Sequence, residues 1–282
     1  MKKKIITIVT IISVILVSLG LYAYSIYFSP TSFEITFLDV GQADAIIVEC
    51  DNEYMMVDGG NNDDSSFIYS YLENNNINHI KYMIATHPDE DHIGGLSGAL
   101  NYASVDTVYC PVTSWDTWTF NNFKKYVEMQ NKTIEIPKVN ETFYIGSAKV
   151  EVLAVNTYLD ESNNQSIVLK ITYRNNTFLL MGDAEYDVEK YLTQQDIDLK
   201  ADLLKVGHHG SNSSTNYIFL HQVNPSISII SVGLNNDYGH PSDKVIKKLE
   251  DINSTVYRTD LNGTIKCKSD GNNISCELEK NN

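Results

Sequence analysis

Thr86-His87-Pro88-Asp89-Glu90-Asp91-His92-Ile93-Gly94-Gly95 places four groups able to bind metal, His87, Asp89, Asp91 and His92, within six residues. The run ahead of it, Lys81-Tyr-Met-Ile-Ala-Thr86, is short, apolar and β-favouring, and reads as a buried strand. Behind it, Gly94-Gly95 lets the backbone turn tightly before a helical stretch from Leu96. Imidazoles and carboxylates crowded onto a loop at a strand end repel or desolvate one another unless a cation sits among them. A solvated acidic turn would account for a lone His-x-Asp. Four ligand groups between a strand and a helix point to metal binding.

Outward from this loop the chain alternates strand-like and helical runs. Upstream, Phe33–Leu38, Ala45–Cys50 and Tyr54–Asp58 read as strands, the last closed by Gly59-Gly60, and a helix is expected around Ser66–Glu73. Downstream come a strand at Val105–Cys110, a helix around Phe120–Met129, and strand-like runs Ile134–Ile136 and Lys149–Val155. The second half repeats the alternation. Strands are expected at Ile167–Tyr173, Thr177–Met181, Leu203–Val206, Ser226–Val232 and Thr255–Arg258, with helices near Ala184–Leu192 and Pro241–Leu249. Residues 33–282 hold no stretch of linker composition. β-rich halves interleaved with helices fit a single α/β (α+β) domain of two sheets between helices.

The 282 residues and their 43% hydrophobic content suit a globular core, and the net charge of -15 argues against a surface that coats nucleic acid. Met1-Lys-Lys-Lys4 precedes an uncharged run from Ile5 to Phe28. At about 1.5 Å per residue, such a helix spans the roughly 30 Å of bilayer hydrocarbon. The lysines predict a cytoplasmic stub (1–4), a transmembrane anchor (5–28), a linker (29–32) and a body (33–282) outside the cytoplasm, in a single-pass membrane protein. A cleaved signal peptide, giving a secreted protein, is the competing reading; Tyr22-Ala23-Tyr24-Ser25 is a poor cleavage site. Without the three leading lysines, 18 basic residues face 36 acidic ones, a net of -18. Cys267 and Cys276 flank Asp270-Gly271-Asn272-Asn273, a two-residue hairpin turn with Gly first. Counting outward from 270/273 sets the cysteines opposite each other in a non-hydrogen-bonded pair, which predicts a cross-strand disulfide and an oxidising compartment. Cys50 and Cys110 lie in apolar runs and are expected to be buried packing residues.

His87-x-Asp-x-Asp-His92 resembles the metal motif of the metallo-β-lactamase superfamily, normally His-x-His-x-Asp-His, with Asp89 in place of the second His. That departure is typical of the hydrolase-like domain at the C-terminal end of the DNA-internalisation competence proteins (the ComEC family). The resemblance runs from about Phe33 to the end, through Phe37-Leu-Asp-Val-Gly-Gln-Ala-Asp-Ala45, Val57-Asp-Gly-Gly60, Asn164-Gln-Ser-Ile-Val-Leu169, Leu180-Met-Gly-Asp-Ala-Glu185, Leu204-Lys-Val-Gly-His-His-Gly-Ser211 and Gly239-His-Pro-Ser242. It implies a four-layer αβ/βα sandwich. It also implies two divalent ions held by His87, Asp89, Asp91, His92, Asp183 and His209, with Asp183 bridging them. On position alone, Asp183 ends a strand and would serve equally as the N-cap of a helix from Ala184.

Neighbours on an extended chain point opposite ways, so only one of His208 and His209 should face the metals unless the strand has already turned. The Gly-His-Gly form of the superfamily favours His209 as ligand and leaves His208 to contact substrate oxygens, with the reverse assignment open. His240 is expected as a general acid or phosphate-oxygen donor at the rim, or as an early helix residue, and Asp58 is expected to orient ligand imidazoles. A further His of the superfamily, some twenty residues before Asp183, is replaced by Ser162-Asn-Asn-Gln-Ser166. Asn164 and Ser211 are therefore expected on the substrate side. Exchanging imidazole for Asp89 makes the site richer in oxygen, so zinc or manganese is expected, magnesium is tolerated, and no organic cofactor is needed.

Two cations a few ångström apart activate a bridging water and stabilise charge on the attacked and leaving oxygens. The resemblance implies phosphodiester cleavage, with nucleic acid as the substrate partner and the membrane as the other, through the N-terminal helix. Affinity for nucleic acid is built from Lys and Arg, which this acidic chain lacks in bulk, although Lys205, Lys244, Lys247 and Lys248 are expected to form a small basic rim. Two alternatives follow: a phosphodiesterase for small headgroups, similar to phosphocholine esterases, and a metal-stabilised binding protein without turnover. One apolar span is too few for a channel, so the chain is not expected to be an uptake pore.

Overall fold

The computed structural model describes residues 32–156 and 162–280, with Ile15, Val17 and Ser18. Apart from those three, the expected membrane anchor at 5–28 lies outside the described residues, as does the stub. Among the described residues no helix is long and apolar enough to cross a membrane. The chain divides into the units Met1–Thr31 and Ser32–Asn282, and the second carries the two sheets.

β1 (Phe33–Phe37), β2 (Ala45–Cys50), β3 (Glu53–Gly59), β4 (His79–Ile84), β5 (Ser104–Tyr109) and β6 (Ile134–Glu135) build the first sheet. β7 (Thr142–Ile145), β8 (Ala148–Ala154), β9 (Val168–Tyr173), β10 (Asn176–Leu180), β11 (Leu203–Lys205), β12 (Ile227–Ile230) and β13 (Thr255–Arg258) build the second. β14 (Ile265–Ser269) and β15 (Ile274–Leu278) return to the first, in the order β15-β14-β1-β2-β3-β4-β5-β6. The second sheet runs β13-β12-β11-β10-β9-β8-β7.

Each sheet is antiparallel on one side and parallel on the other. β3 to β6 are parallel in the first sheet, and β10 to β13 in the second. Parallel neighbours need a crossover, and each of these crossovers carries a helix. Ser65–Asn74, Leu96–Tyr102 and Trp118–Met129 serve the first sheet; Tyr186–Gln194, Tyr217–Val223 and Asp243–Asp251 serve the second. The helices start where the sequence supplies caps: Thr117 Oγ1 accepts from Phe120 N, and Asn216 Oδ1 from Phe219 N. Their apolar stripes, such as Phe120, Phe123 and Val127, bury against the outer sheet faces.

The opposite sheet faces meet in a core of alternating strand residues, including Phe33, Ile35 and Phe37 of β1 and Leu169, Ile171 and Tyr173 of β9. The Phe33 ring lies 4.5 Å from that of Phe178 and 5.2 Å from that of Tyr173. Truncating Phe178 to Ala there would cost about 3–5 kcal/mol. Helices, sheet, sheet, helices: the expected layering of two sheets between helices is present.

Two local readings change. β7 was not expected, because four residues with Phe143 and Ile145 inward give too short an alternation to stand out. Gly94 and Gly95 form the expected turn before Leu96, but with ordinary right-handed backbones (φ -58 for Gly94, φ -79 for Gly95), so the turn itself does not require glycine. A side chain on Gly95 would strike the Gly59 carbonyl, and one on Gly94 the backbone of Asn61 and Asn62. These glycines let the loop after β4 lie directly on the end of β3. The β14–β15 hairpin pairs Cys267 with Cys276 in a disulfide, with Cα atoms 4.1 Å apart, and Cys50 and Cys110 are buried and free.

Candidate metal centre

The parallel strands of both sheets deliver their C-terminal ends to one edge, where loops of an α/β sheet gather ligands. From the first sheet come Asp58 at the end of β3 and the Thr86–His92 loop after β4. From the second come Asp183 after β10, His208 and His209 after β11, and the loop 231–241 after β12.

Three imidazoles are fixed at one nitrogen and open at the other. His92 Nδ1 donates to Asp58 Oδ2 at 2.8 Å. His209 Nδ1 donates to the Ser231 carbonyl at 2.9 Å. His87 Nδ1 lies 3.1 Å from Thr86 Oγ1, whose hydroxyl in turn donates to Asp58 Oδ2 at 2.7 Å. The Nε2 atoms of all three, with Asp183 Oδ1, are buried and have no hydrogen-bond partner. They converge: Asp183 Oδ1 is 3.4 Å from His92 Nε2, and Asp183 Oδ2 is 3.6 Å from His209 Nε2. Asp91 Oδ2 is 3.3 Å from His209 Nε2, and ligand atoms of Asp91, His92, Asp183 and His209 all lie within 4.8 Å of one another. Asp89 faces His87, with Oδ2 3.6 Å from its Nε2 and accepting from Ser162 Oγ at 2.8 Å. Partnerless lone pairs converging in a buried space, held by outer hydrogen bonds, suit divalent metal ions. The site can hold metal.

The electrostatics agree. Burial, aided by the neighbouring His92, pushes His87 down to about 3, so its imidazole is neutral. Burial opposes charge on His92, yet Asp183, Asp58 and Asp91 outweigh it and hold His92 well above its usual range. His209 is raised in the same way, against its burial, by Asp183 and Asp91. For Asp91 and Asp183 burial works upward but loses to the imidazoles, whereas burial raises Asp58 and Asp89. His92 and His209 bring Asp91 down to about 2, and His209 and His92 hold Asp183 well below the carboxylate range. Carboxylates this close keep protons on the imidazoles or a cation between them.

His208 and His209 both face the centre because the strand has already turned. They lie in a tight turn with left-handed backbones, φ 49 and φ 50. His208 Nε2 is 3.7 Å from Asp183 Oδ2, while its Nδ1 donates to Glu185 Oε1 at 2.9 Å. Asp183 does not cap a helix: the following helix starts at Tyr186, with Glu185 at its cap. His240 likewise precedes the helix Asp243–Asp251 and lines the cleft, its ring centroid 5.6 Å from that of His208.

The cleft, about 190 Å³, is walled by Gln42, Asp89, Asp91, Asn163, Asp183, His208, His209, Tyr238 and His240. Asn164, expected on this wall, is buried behind it, and its Oδ1 accepts from Glu185 N at 3.1 Å. Its neighbour Asn163 faces the cleft instead, with Nδ2 3.5 Å from the His208 ring nitrogens. Ser211 is also off the wall, its hydroxyl 2.9 Å from that of Ser213. Lys205, expected at a basic rim, is fully buried with Nζ 2.9 Å from Asp44 Oδ2. Sequence reasoning missed Thr86 and Glu185. Thr86 was visible only as the residue opening the motif, and Glu185 as the acid two places after Asp183.

The family model of the Metallo-beta-lactamase superfamily matches residues 38–233. ComE operon protein 3 of Bacillus subtilis is 31% identical over 252 residues, which cover 83% of this chain and 32% of that protein. Recombination protein 2 of Haemophilus influenzae is 26% identical over 245 residues, 84% of this chain and 29% of that protein. The chain thus spans about a third of the length of the curated relatives it matches. The metallo-beta-lactamase fold protein YhfI of Bacillus subtilis superposes with a TM-score of 0.56 at 13% identity, over 84% of this chain and 100% of that one.

Proposed function

Because the chain belongs to the metallo-β-lactamase superfamily, we propose that it is a metal-dependent phosphodiesterase that cleaves nucleic acid outside the cytoplasm. The observation that carries this reading is the set of buried, partnerless atoms at His87, His92, His209 and Asp183, each imidazole locked to present its Nε2.

Two divalent ions, zinc or manganese with magnesium tolerated, would be held by these residues. Asp91, His92, His209 and Asp183, whose ligand atoms lie within 4.8 Å of one another, would hold one, and His87 and Asp89 the other; the sharing of Asp183 between them is what the resemblance implies. Bound there, the ions supply Lewis acidity toward a phosphoryl group and neutralise its charge. His208 is suited to hold a proton. Burial works against its charge, but the hydrogen bond to Glu185 and the charge of Asp183 raise its pKa. With Nδ1 donating to Glu185, Nε2 is the nitrogen left to donate to a phosphoryl or leaving oxygen. His240 is lowered by burial and by His208, which suits it to accept a proton. Asn163 offers an amide to the same oxygens. The disulfide and the apolar run 5–28 support a membrane-anchored protein with its catalytic body outside the cytoplasm.

Hydrolysis of small phosphodiesters, as by phosphocholine esterase-like enzymes, is favoured by the cleft's size and the net charge of -15. A metal-stabilised binding protein without turnover is the remaining alternative. The test is manganese-dependent cleavage of single-stranded DNA, double-stranded DNA and bis-p-nitrophenyl phosphate by the parent, Asp91→Ala and Asp183→Ala proteins. Activity on DNA that both variants lose supports the proposal, and activity on the small ester alone moves the assignment to the second reading. No activity in the parent, or variants that match it, overturns hydrolysis.

A further inference from the structure

Tyr238 is 73% exposed, yet it belongs to the cleft wall. Its ring stacks on His240 at 5.8 Å with 22° between the planes, and His240 meets His208 edge-on at 5.6 Å. The three rings form a row leading outward from the Asp183 carboxylate. The loop that carries Tyr238 is held in place. Asn236 Nδ2 donates to the carbonyls of Gly233 and His240 at 2.9 and 2.6 Å, while its Oδ1 accepts from the backbone of Tyr238 and His240 at 3.1 and 3.0 Å. Ser242 N donates to Gly210 O at 2.9 Å, which ties the loop to the His208–His209 turn. An aromatic ring stacked on His240 and carried by a backbone tied down in this way can serve as a platform beside the reacting groups.

Charge says what the platform is for. Of the nine described residues on the cleft wall none is Lys or Arg, and Asp89, Asp91 and Asp183 are acidic. Phosphate contacts by lysine or arginine, the usual source of nucleic-acid affinity, are missing among these described residues. Stacking of bases on aromatic side chains is the other source, and it works at strand ends and in single strands, where bases are free to stack.

We infer that Tyr238 is the stacking platform for one base next to the scissile phosphate, so that the substrate is a nucleotide unit at a single-stranded region or strand end. This rests on the phosphodiesterase reading above and adds the part of the substrate that the cleft recognises.

The test is calorimetric binding of AMP and of ribose 5-phosphate, which share a phosphate and differ by the base. The full chain, loaded with manganese in detergent, is compared with Tyr238→Trp, Tyr238→Leu and Tyr238→Ala. Because the side chain is largely exposed, metal content and melting temperature should not change in the variants. Parent and Tyr238→Trp are expected to prefer AMP on the order of 5- to 150-fold, the range base–aromatic stacking gives, and Tyr238→Leu and Tyr238→Ala to show no preference. A parent that binds the two equally, or binds neither, overturns the platform, as does a preference that survives in Tyr238→Ala. The two readings separate in the data: base preference without hydrolysis of any phosphodiester removes the enzyme and keeps the platform. Hydrolysis without base preference does the reverse.

Discussion

Asp58 governs His92 directly and His87 at one remove. Its Oδ2 accepts from His92 Nδ1 at 2.8 Å and from the Thr86 hydroxyl, which in turn meets His87 Nδ1. Its Oδ1 accepts Thr86 N at 2.8 Å. One buried acid at the end of a strand thus sets the tautomers of two metal-facing imidazoles, and its own φ of 58 shows that the backbone is bent to put it there.

Replacing this acid by its amide should therefore loosen metal without unfolding the protein. Asp58→Asn keeps a carbonyl for Thr86 N but loses the charge that sets both rings. Metal affinity is expected to fall about 10- to 100-fold, as for other outer partners of metal ligands. Competition with a chromogenic chelator measures it, and an unchanged affinity would mean that the rings are held by packing alone.

Metal and protons compete for the same nitrogens, which gives a direction for pH. His92 is raised in the folded protein above its ordinary 6.5, so its contribution to stability is complete below 6.5 and disappears as pH rises through the folded value. Asp183 is lowered below its ordinary 3.8, so its contribution is present above 3.8 and lost as pH falls through the folded value. Chelated protein should therefore be most stable between these limits and should soften as the pH rises above 6.5. Protein saturated at about a hundred times Kd should gain about 2.7 kcal/mol and keep it at high pH, where imidazole protons no longer compete. Melting curves with and without chelator across this range decide it; parallel curves would rule out the competition.

Glu185→Gln tests the role of His208. Without the carboxylate at Nδ1, the pKa of His208 falls, so the alkaline limb of the rate profile should move to lower pH and kcat should drop roughly 10- to 100-fold. Metal content should stay as in the parent. A lower kcat with an unmoved pH profile would show Glu185 to be structural.

Lys205 and Asp44 form a buried pair between the second sheet and the loop after β1. Lys205→Met leaves Asp44 buried with the His209 ring beside it, Nδ1 3.5 Å from Oδ1, at a cost of about 3–5 kcal/mol in denaturant unfolding. Adding Asp44→Leu should recover much of that loss. A single variant as stable as the parent would mean that water already reaches the carboxylate.

Most of the fold was legible because buried parallel strands read as short apolar runs and the crossovers between them read as amphipathic stripes. The centre was legible where ligands sit close in sequence, as at His87–His92. It was less so where the backbone leaves its regular path. His208 and His209 both point inward only because the chain turns left-handed at each, and alternation along a strand does not foresee that. The swap of Asn163 for Asn164 has the same origin, since both lie in a single turn of 3₁₀ helix between two strands. Lys205 looked like a rim charge because its partner, Asp44, is 161 positions away in the sequence. Pairings at that separation leave no local trace.

The centre is stitched across the seam between the sheets. His87, Asp89, Asp91 and His92 come from the first, Asp183 and His209 from the second. A chain cut in the turn between β7 and β8 would leave each half with stumps of a coordination shell and nothing to close it. The ion would then act as a rivet: it could be captured only after the halves had docked, and once captured it would resist their parting.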